Sequence, residues 1–214
     1  MTLFYLHGFT SSAQSTKAAY FEERLSKYGL GLRCPDFNQP DFATMTMTRM
    51  LDQLNAELDA IAPAKATLIG SSLGGRVAVL AASRVPPRIE RLVLLAPAIM
   101  QDVALLPPER MAEWKRKGEM PFLHYAENRE KPLRYAFYED LLTYDACGAQ
   151  FSQPTIVFQG VRDRSVPPQD VEAFARARPN VSLTMLDDEH QLMNSLPRVW
   201  TEIETFLRLG NLEI

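Results

Sequence analysis

Short apolar segments alternate with amphipathic segments along the chain. Six apolar segments are predicted to be β-strands, since each is bounded by Gly, Pro or Asp: Leu3–Leu6, Gly31–Cys34, Ala66–Ile69, Arg91–Leu95, Thr155–Gln159 and Val181–Leu186. Apolar residues recur at helical spacing between them, as in the stripe of Met47, Met50, Leu51, Leu54, Leu58 and Ile61. This alternation predicts right-handed crossovers and a mostly parallel six-stranded sheet with helices on both faces.

One interval breaks the alternation. Between the strand that ends at Leu95 and the strand that begins at Thr155 lie many more residues than the ~10–12 that a crossover needs. The interval contains two helix-like pieces, Pro107–Lys117 and Leu133–Leu142, and the aromatic residues Trp114, Phe122, Tyr125, Tyr135, Phe137, Tyr138 and Tyr144. We predict a helical lid, inserted over residues 98–152 of a single domain that spans residues 1–214. Most of these aromatic residues should form the insertion's own small core, while one or two face a ligand pocket.

The composition is that of an ordinary globular protein, with 46% hydrophobic and 23% charged residues among 214. A formal net charge of −3 gives no electrostatic reason to expect binding to nucleic acid or to an anionic membrane. No apolar run is long enough to span a bilayer, and no signal-peptide pattern precedes the first strand. Cys34 and Cys147 lack the spacing of a metal or redox motif. One disulfide is compatible with them, but reduced thiols in a cytoplasmic protein are favoured.

The segment ATLIGSSLGGR at residues 66–76 concentrates three of the ten glycines of the chain. Gly70 and Gly74 lie two residues before and after Ser72, whereas Ser71 has bulky neighbours at those distances. A serine on a tight strand-to-helix turn needs this clearance, so the pattern indicates a G-x-S-x-G nucleophile elbow with Ser72 as the nucleophile. A turn of purely structural use is the alternative. A phosphate-binding loop is disfavoured, because Arg76 stands where a P-loop requires Lys followed by Ser or Thr.

A serine nucleophile needs a base and a group that orients the base, and the chain offers only three histidines. His190 follows the last predicted strand and would emerge at the same edge of the sheet as Ser72, so we predict that it is the base. His7 is interpreted as a structural turn residue, and His124 as an exposed or lid-packing side chain.

The acid is expected in the loop after the penultimate strand, where Asp163 stands. Asp187 and Asp188 are rivals, but they lie so close to His190 in the same loop that they would have difficulty reaching the far nitrogen of its ring. The chain order Ser72, Asp163, His190 is the order of the α/β-hydrolase triad. A merely solvated role for Asp163 is the alternative.

An oxyanion hole needs two main-chain N–H groups. We predict that Leu73 supplies one of them, because it directly follows the nucleophile at a helix N-terminus. With a sheet order of 2-1-3-4-5-6, the first and third strands are neighbours and a cleft opens between them. The second donor is predicted to be Phe9, in the loop after the first strand; an ordinary tight turn is the alternative for His7-Gly8-Phe9.

Four motifs together resemble the α/β-hydrolase superfamily over nearly the whole chain: Leu-His-Gly-Phe, Gly-Ser-Ser-Leu-Gly-Gly, Gly-x-x-Asp-x-x-Val-Pro and the late Asp-x-Glu-His. The doubled serine and the lack of two leading strands resemble the small bacterial esterases of the YqiA type. The insertion is similar to that of the mitochondrial abhydrolase that acts as an acyl-protein thioesterase, through Met111-Ala112-Glu113-Trp114, Gly118-Glu119-Met120-Pro121 and Tyr135-Ala136-Phe137-Tyr138. The resemblance implies hydrolysis through an acyl-enzyme, with Ser72, Asp163 and His190 in the matching positions.

The expected function is therefore a serine hydrolase acting on short-to-medium acyl esters or thioesters of small molecules. It would need no metal or organic cofactor and no nucleic-acid partner, and the sequence leaves its oligomeric state open. Trp114 and Phe122 of the insertion are predicted to line the acyl pocket. Two alternatives stay open: a peptidase or perhydrolase with the same triad, and a hydrolase scaffold that binds a ligand without catalysis.

Overall fold

The computed structural model describes residues 1–100 and 105–211. Parts of the predicted domain (1–214) and of the predicted insertion (98–152) therefore lie outside the described residues. The described strands are β1 (Thr2–Leu6), β2 (Leu32–Arg33), β3 (Ala66–Ser71), β4 (Ile89–Leu95), β5 (Glu119–His124), β6 (Arg129–Arg134), β7 (Thr155–Gly160) and β8 (Val181–Leu186). The described helices are α1 (Thr16–Ser26), α2 (Met47–Ala60), α3 (Leu73–Arg84), α4 (Pro108–Lys117), α5 (Ala136–Leu141), α6 (Pro168–Arg176) and α7 (Leu196–Leu207).

Six strands form a parallel sheet in the order β2-β1-β3-β4-β7-β8. This confirms the predicted sheet and its order, since β7 and β8 are the fifth and sixth strands of the sequence prediction. The second strand is shorter than predicted, with only Leu32–Arg33 in the ladder, and β4 begins earlier, at Ile89. Helices cover both faces of the sheet, which is the α/β-hydrolase architecture.

The central strands are apolar on both faces because each face carries its own core. In β1, Leu3 and Tyr5 pack with α1 and α7, whereas Phe4 and Leu6 pack in the core formed with α2, α3, α6 and the insertion. A strand that is buried on both faces shows a continuous apolar run rather than an alternation. The apolar runs that identified the strands in the sequence result from this burial on both faces.

The path of the chain opens a crevice at one edge of the sheet. β1 lies between β2 and β3. The chain leaves β1 toward α1 on one face, and it leaves β3 toward α3 on the other face. Neighbouring parallel strands whose connections diverge in this way leave a cleft at their carboxyl ends. Ser72 stands at that point, directly after β3.

The insertion differs from the predicted helical lid. α4 matches the first helix-like piece, but β5 and β6 form an antiparallel hairpin that the sequence analysis missed. The second helix is correspondingly short, Ala136–Leu141, because the residues before it belong to β6. Pro121 and Pro132 lie opposite each other in the hairpin. Proline lowers the expectation of a strand, although it is tolerated in a two-stranded ribbon whose outer sides are unpaired.

Two further features bear on the sequence predictions. Within residues 1–100 and 105–211, the longest apolar helices fall short of what a membrane span requires. Cys34 is half-buried and Cys147 is exposed, and both are free thiols.

Candidate active site

Ser72 lies on a tight turn between β3 and α3. Its backbone has φ 52° and ψ −114°, a positive-φ conformation that a residue with a side chain rarely adopts. The turn is tied to the next strand, since the Ser72 N–H donates to the Leu95 carbonyl at 2.9 Å and the Ser72 carbonyl accepts from the Ala98 N–H at 3.0 Å. The Ser72 hydroxyl is thereby held at the carboxyl edge of the sheet.

The glycines around Ser72 allow the chain to pass at close range. A Cβ on Gly70 would lie 2.6 Å from the Gly74 carbonyl oxygen, and a Cβ on Gly74 would lie 2.0 Å from the carbonyl oxygen of Leu6 in β1. The atoms that a Cβ would meet belong to the main chain, and they cannot move aside as the end of a side chain could. The clearance inferred from the sequence for Ser72 is therefore present at both positions.

A methyl group at position 74 tests this close approach. We expect Gly74→Ala to lower the free energy of unfolding by ~3 kcal/mol or more, because the methyl would overlap the main chain of β1. Urea unfolding measures the change. Gly31→Ala is the matched control, since nothing lies within 4 Å of a Cβ at that position. It should stay within ~1 kcal/mol of wild type, and equal small effects of both substitutions would contradict the close approach.

His190 connects Ser72 to Asp163. The Nε2 atom of His190 lies 3.1 Å from the Ser72 hydroxyl oxygen, and its Nδ1 atom lies 2.8 Å from Oδ2 of Asp163. Asp163 is an acceptor, so the ring places its proton on Nδ1 and leaves Nε2 to accept from the hydroxyl. The structure thus brings the three predicted triad residues within hydrogen-bond distance, although they come from three separate parts of the chain.

The Asp163 carboxylate is held by four donors. Oδ2 accepts from Gln159 Nε2 at 2.9 Å as well as from His190, and Oδ1 accepts from the N–H groups of Ser165 and Val166 at 2.8 and 2.9 Å. Burial alone would raise the pKa of Asp163, but the hydrogen bonds from His190, Val166 and Gln159 bring the pKa below its ordinary value. The carboxylate therefore stays ionised and fixed in orientation.

The two rival acids occupy different places. Asp187 is exposed and pairs with Arg162 at the surface. Asp188 is buried, and its Oδ2 accepts from the Ser195 N–H at 2.8 Å ahead of α7. Asp188 thus stabilises the loop that carries His190, and neither rival is within hydrogen-bond distance of the ring.

Lys17 supports the same loop from α1. Its ammonium group donates to the main-chain carbonyl of Gln191 at 3.0 Å and to the side-chain oxygen of Gln191 at 3.2 Å. Gln191 directly follows His190, so this contact fixes the residue next to the proposed base. The contact joins positions 174 residues apart, and no local sequence signal indicates it.

The burial of Lys17 gives stability a defined pH dependence. Burial lowers the pKa of Lys17 from 10.5 to about 8, although Asp163 and Asp188 act in the opposite direction. Below pH 8 the lysine is charged in both states, so the cost of burying the charge is fully present. Between pH 8 and 10.5 the unfolded chain binds more protons at this site than the folded chain, and stability therefore rises with pH.

We expect the difference in unfolding free energy, wild type minus Lys17→Met, to rise by up to ~3 kcal/mol between about pH 7 and pH 10.5. Urea unfolding of both proteins at each pH measures it. The subtraction removes the contributions of other groups that titrate in alkali, such as Cys34. A difference that stays constant with pH would contradict the burial of a charged Lys17.

The two residues predicted to form the oxyanion hole, Phe9 and Leu73, lie at the cleft. Leu73 is the first residue of α3, where N–H groups have no partner within the helix. Phe9 follows β1, and its N–H donates to no acceptor among the described residues. Both residues line the cleft that also contains Ser72 and His190. Their amides are therefore available to a bound ligand, as the oxyanion-hole prediction requires.

The cleft measures about 570 Å³, and the insertion supplies much of its wall. Phe122 and Phe137 line it, and both rings contact the ring of Phe9, with centroids 5.5 and 5.4 Å away. Further apolar side chains in the wall are Met100, Leu105, Leu106, Leu141 and Val166. The placement of Phe122 agrees with the sequence expectation that it faces a pocket.

Trp114 requires a correction. Its side chain is fully buried, and its indole N–H donates to the Leu133 carbonyl at 2.8 Å. It packs behind Phe122, with the ring centroids 4.9 Å apart, and it is absent from the described lining of the cleft. Trp114 thus supports the wall rather than forming it, because the hairpin that the sequence analysis missed lies between it and the cleft.

The other two histidines have separate roles in the fold. His7 is buried, and its Nε2 accepts from the Phe37 N–H at 3.0 Å while its Nδ1 donates to the Gly8 carbonyl at 3.0 Å. This arrangement agrees with the interpretation of His7 as a structural turn residue. His124 is buried at the end of β5 and lies 3.3 Å from the side-chain oxygen of Asn38. Neither histidine contacts the Ser72 hydroxyl.

Comparison with known proteins places the chain in a family. Residues 2–207 match the family described as "Uncharacterised protein family (UPF0227)". The chain belongs to this family. No curated protein sequence matches this UPF0227 chain.

Solved structures share its fold. A protein of Agrobacterium vitis S4 is 25% identical, with a TM-score of 0.82 over 95% of this chain and 87% of its own. Est1E from Butyrivibrio proteoclasticus with bound ferulic acid is 22% identical, with a TM-score of 0.78 over 97% of this chain and 88% of its own. Mouse alpha/beta hydrolase domain-containing protein 10 is 21% identical, with a TM-score of 0.78 over 97% of this chain and 90% of its own. The UPF0227 chain therefore has the α/β-hydrolase fold.

Besides Lys17, sequence reasoning missed two further supporting residues of the site. Gln159 is fully buried near the end of β7, where its amide donates to Asp163. Arg76 is also buried, and it donates to main-chain carbonyls of the insertion, among them Met100 at 2.7 Å and Tyr144 at 2.6 Å. A polar side chain within an otherwise apolar buried element is the sequence signal that both share. In this UPF0227 chain, Arg76 thus joins the insertion to the helix that begins at the nucleophile.

Proposed function

We propose that this protein is a serine hydrolase that cleaves carboxylic esters or thioesters of short-to-medium acyl groups through an acyl-enzyme. The observation that carries the proposal is the continuous hydrogen-bonded chain from Ser72 through His190 to Asp163, at the edge of a cleft with apolar walls. The fold supports the proposal. A structural neighbour, mouse alpha/beta hydrolase domain-containing protein 10, is also named as a hydrolase.

The proposed reaction has two halves, and in each half His190 first accepts a proton and then donates it. His190 Nε2 takes the hydroxyl proton as Ser72 Oγ attacks the carbonyl carbon, and Asp163 stabilises the imidazolium that forms. The N–H groups of Phe9 and Leu73 stabilise the negative charge on the carbonyl oxygen. His190 then protonates the leaving oxygen or sulfur, which departs and leaves the acyl group on Ser72. A water molecule, deprotonated by the same nitrogen, releases the acid and restores Ser72.

A peptidase with the same triad is less well supported. An aminopeptidase needs a carboxylate to hold the α-amino group of the acyl residue. The described lining of the cleft contains two arginines, Arg76 and Arg164, and no carboxylate. Amide substrates also have poorer leaving groups than esters. We place the enzyme in the cytoplasm as part of the proposal, because its two cysteines are free thiols.

Steady-state hydrolysis of p-nitrophenyl esters, acyl thioesters and aminoacyl amides of equal chain length tests the reaction class. We expect ester and thioester turnover and much slower amide turnover. Faster cleavage of amides would replace the proposal by a peptidase. Ligand binding without turnover of any of the three would favour a non-catalytic binder.

The insertion predicts a dependence on acyl chain length. Each methylene that is buried against the apolar wall contributes up to ~0.8 kcal/mol, so kcat/KM should rise several-fold for every two carbons until the cleft is full. Phe122→Ala removes part of that wall, and we expect it to flatten the rise while acetyl ester turnover stays within ~3-fold of wild type. A p-nitrophenyl ester series from acetate to decanoate measures both profiles.

Tyr138→Ala is the matched control for this series. Tyr138 belongs to the same aromatic cluster and lies 6.2 Å from Trp114 between ring centroids, but it is absent from the described lining of the cleft. It should keep the wild-type profile. A wild-type kcat/KM that does not change with chain length would contradict a role of the insertion in substrate selection. An equal loss of the chain-length dependence in both variants would contradict it as well.

A further inference from the structure

A second and larger cavity lies beside the cleft. It is a groove of about 820 Å³, and Tyr125 and Gln191 line both the groove and the cleft. The two spaces differ in chemistry. By residue type, the described lining of the groove is richer in polar groups than that of the cleft, with hydroxyl groups such as those of Ser11 and Ser12, side-chain amides such as that of Asn38, and charged groups.

The proposed mechanism fixes which part of an ester would occupy this groove. The leaving oxygen must lie within hydrogen-bond distance of His190 Nε2, since that nitrogen supplies its proton. Gln191 follows His190 and leads into the groove, and Ser11 closely follows the oxyanion residue Phe9 on its other side. With the acyl chain against the apolar wall, as proposed above, the alcohol part of the substrate would point into the groove.

The charges of the groove select against an anionic alcohol. Its described lining holds three carboxylates, those of Asp36, Asp41 and Glu127, and two lysines but no arginine. Lys131 Nζ donates to Glu127 Oε1 at 2.5 Å. The second lysine, Lys17, is buried and donates to the Gln191 carbonyl. Asp36 and Asp41 would therefore repel the phosphates of a nucleotide-type carrier.

Other groups in the groove suit a ligand with several hydroxyls. His124 is buried in the wall of the groove, where its Nε2 lies 3.3 Å from Asn38 Oδ1 and its Nδ1 lies 3.8 Å from Glu127 Oε1. Tyr125 is 73% exposed at the junction with the cleft and offers an aromatic face there.

We propose that this groove binds an uncharged polyhydroxylated alcohol, such as a sugar, and that the natural substrates are acyl esters of such alcohols. The inference rests on the proposed function and names the substrate class of the same site. The hydroxyl and amide side chains hydrogen-bond the sugar hydroxyls, and Tyr125 stacks against the sugar ring. The sugar leaves with the proton from His190.

The test compares two butyrate esters of primary alcohols, 6-O-butyrylglucose and ethyl butyrate, by the release of butyrate. We expect wild type to cleave the glucose ester with a kcat/KM at least ~10-fold higher, which corresponds to about 1.4 kcal/mol. Ala126→Trp places a bulky side chain in the groove from an exposed position of the hairpin turn, and the ratio should fall to about 1. Ala60→Trp, at the exposed end of α2, is the matched control and should keep the wild-type ratio.

Three results would overturn the inference. Equal cleavage of the two esters by wild type would contradict sugar binding in the groove. A ratio that Ala126→Trp leaves unchanged would contradict it as well. Butyryl-coenzyme A cleaved faster than the glucose ester, and slowed by Ala126→Trp, would show that the groove takes an anionic carrier. Failure of the proposed function can be told apart from these results, because the protein would then not cleave p-nitrophenyl butyrate. That result would also overturn the inference.

Discussion

Ser72→Ala is expected to lower the turnover of p-nitrophenyl butyrate by at least ~10³-fold, because no acyl-enzyme can form without the Ser72 hydroxyl. The effect should fall on kcat, since the walls of the cleft and the two oxyanion amides stay in place. The free energy of unfolding should change little, because the substitution keeps the Cβ and adds no volume to the turn. Steady-state kinetics and urea unfolding of the same preparation measure both quantities.

Ser71→Ala is the matched control for this substitution. Ser71 is the last residue of β3 and is buried, and the His190 ring lies within hydrogen-bond distance of the Ser72 hydroxyl rather than of Ser71. It should keep most of the wild-type activity. Equal losses from the two substitutions would mean that the nucleophile elbow has been assigned in the wrong register.

Asp163→Asn is expected to lower kcat by ~10³- to 10⁴-fold while the protein stays folded. An asparagine has the same shape, but its NH₂ group can face His190 Nδ1 only if that nitrogen gives up its proton. The ring would then carry its proton on Nε2 and could no longer accept from Ser72. KM should change much less than kcat, because Asp163 does not line the described cleft.

Two neighbouring acids provide the controls for Asp163. Asp187→Asn should leave kcat within ~3-fold of wild type, since its surface pairing with Arg162 contributes little. Asp188→Asn should lower stability, because Asp188 holds main-chain N–H groups of the His190 loop. A loss of kcat from Asp187→Asn that matches the loss from Asp163→Asn would contradict the acid assignment.

The sequence predicted those parts of the fold that local rules determine. Continuous apolar runs identified the parallel strands because each strand is buried on both faces. The spacing of Gly70 and Gly74 identified Ser72 because the turn leaves no room for a Cβ there. Parallel strands bring their carboxyl ends to one edge, so chain order indicated His190 as the base. Asp163 was favoured as the acid because Asp187 and Asp188 lie too close to His190 in the same loop.

Other parts depend on contacts that the local sequence does not encode. Pro121 and Pro132 concealed the hairpin, since proline is rare in strands. Trp114 was expected in the pocket because aromatic residues often line pockets, but the hairpin packs over it. The contact between Lys17 and Gln191 joins the two ends of the chain, and only the folded structure brings them together.

The labelling of Ser72 by a fluorophosphonate tests the central claim most directly. The reagent phosphonylates a serine hydroxyl only when an adjacent base activates it, and it needs no knowledge of the substrate. We expect peptide mass spectrometry of the folded wild-type protein to find one adduct, on Ser72, and Ser72→Ala to remove it. Folded wild-type protein that stays unlabelled, or that carries the adduct on another residue, would contradict the assignment of Ser72, His190 and Asp163 as a catalytic triad.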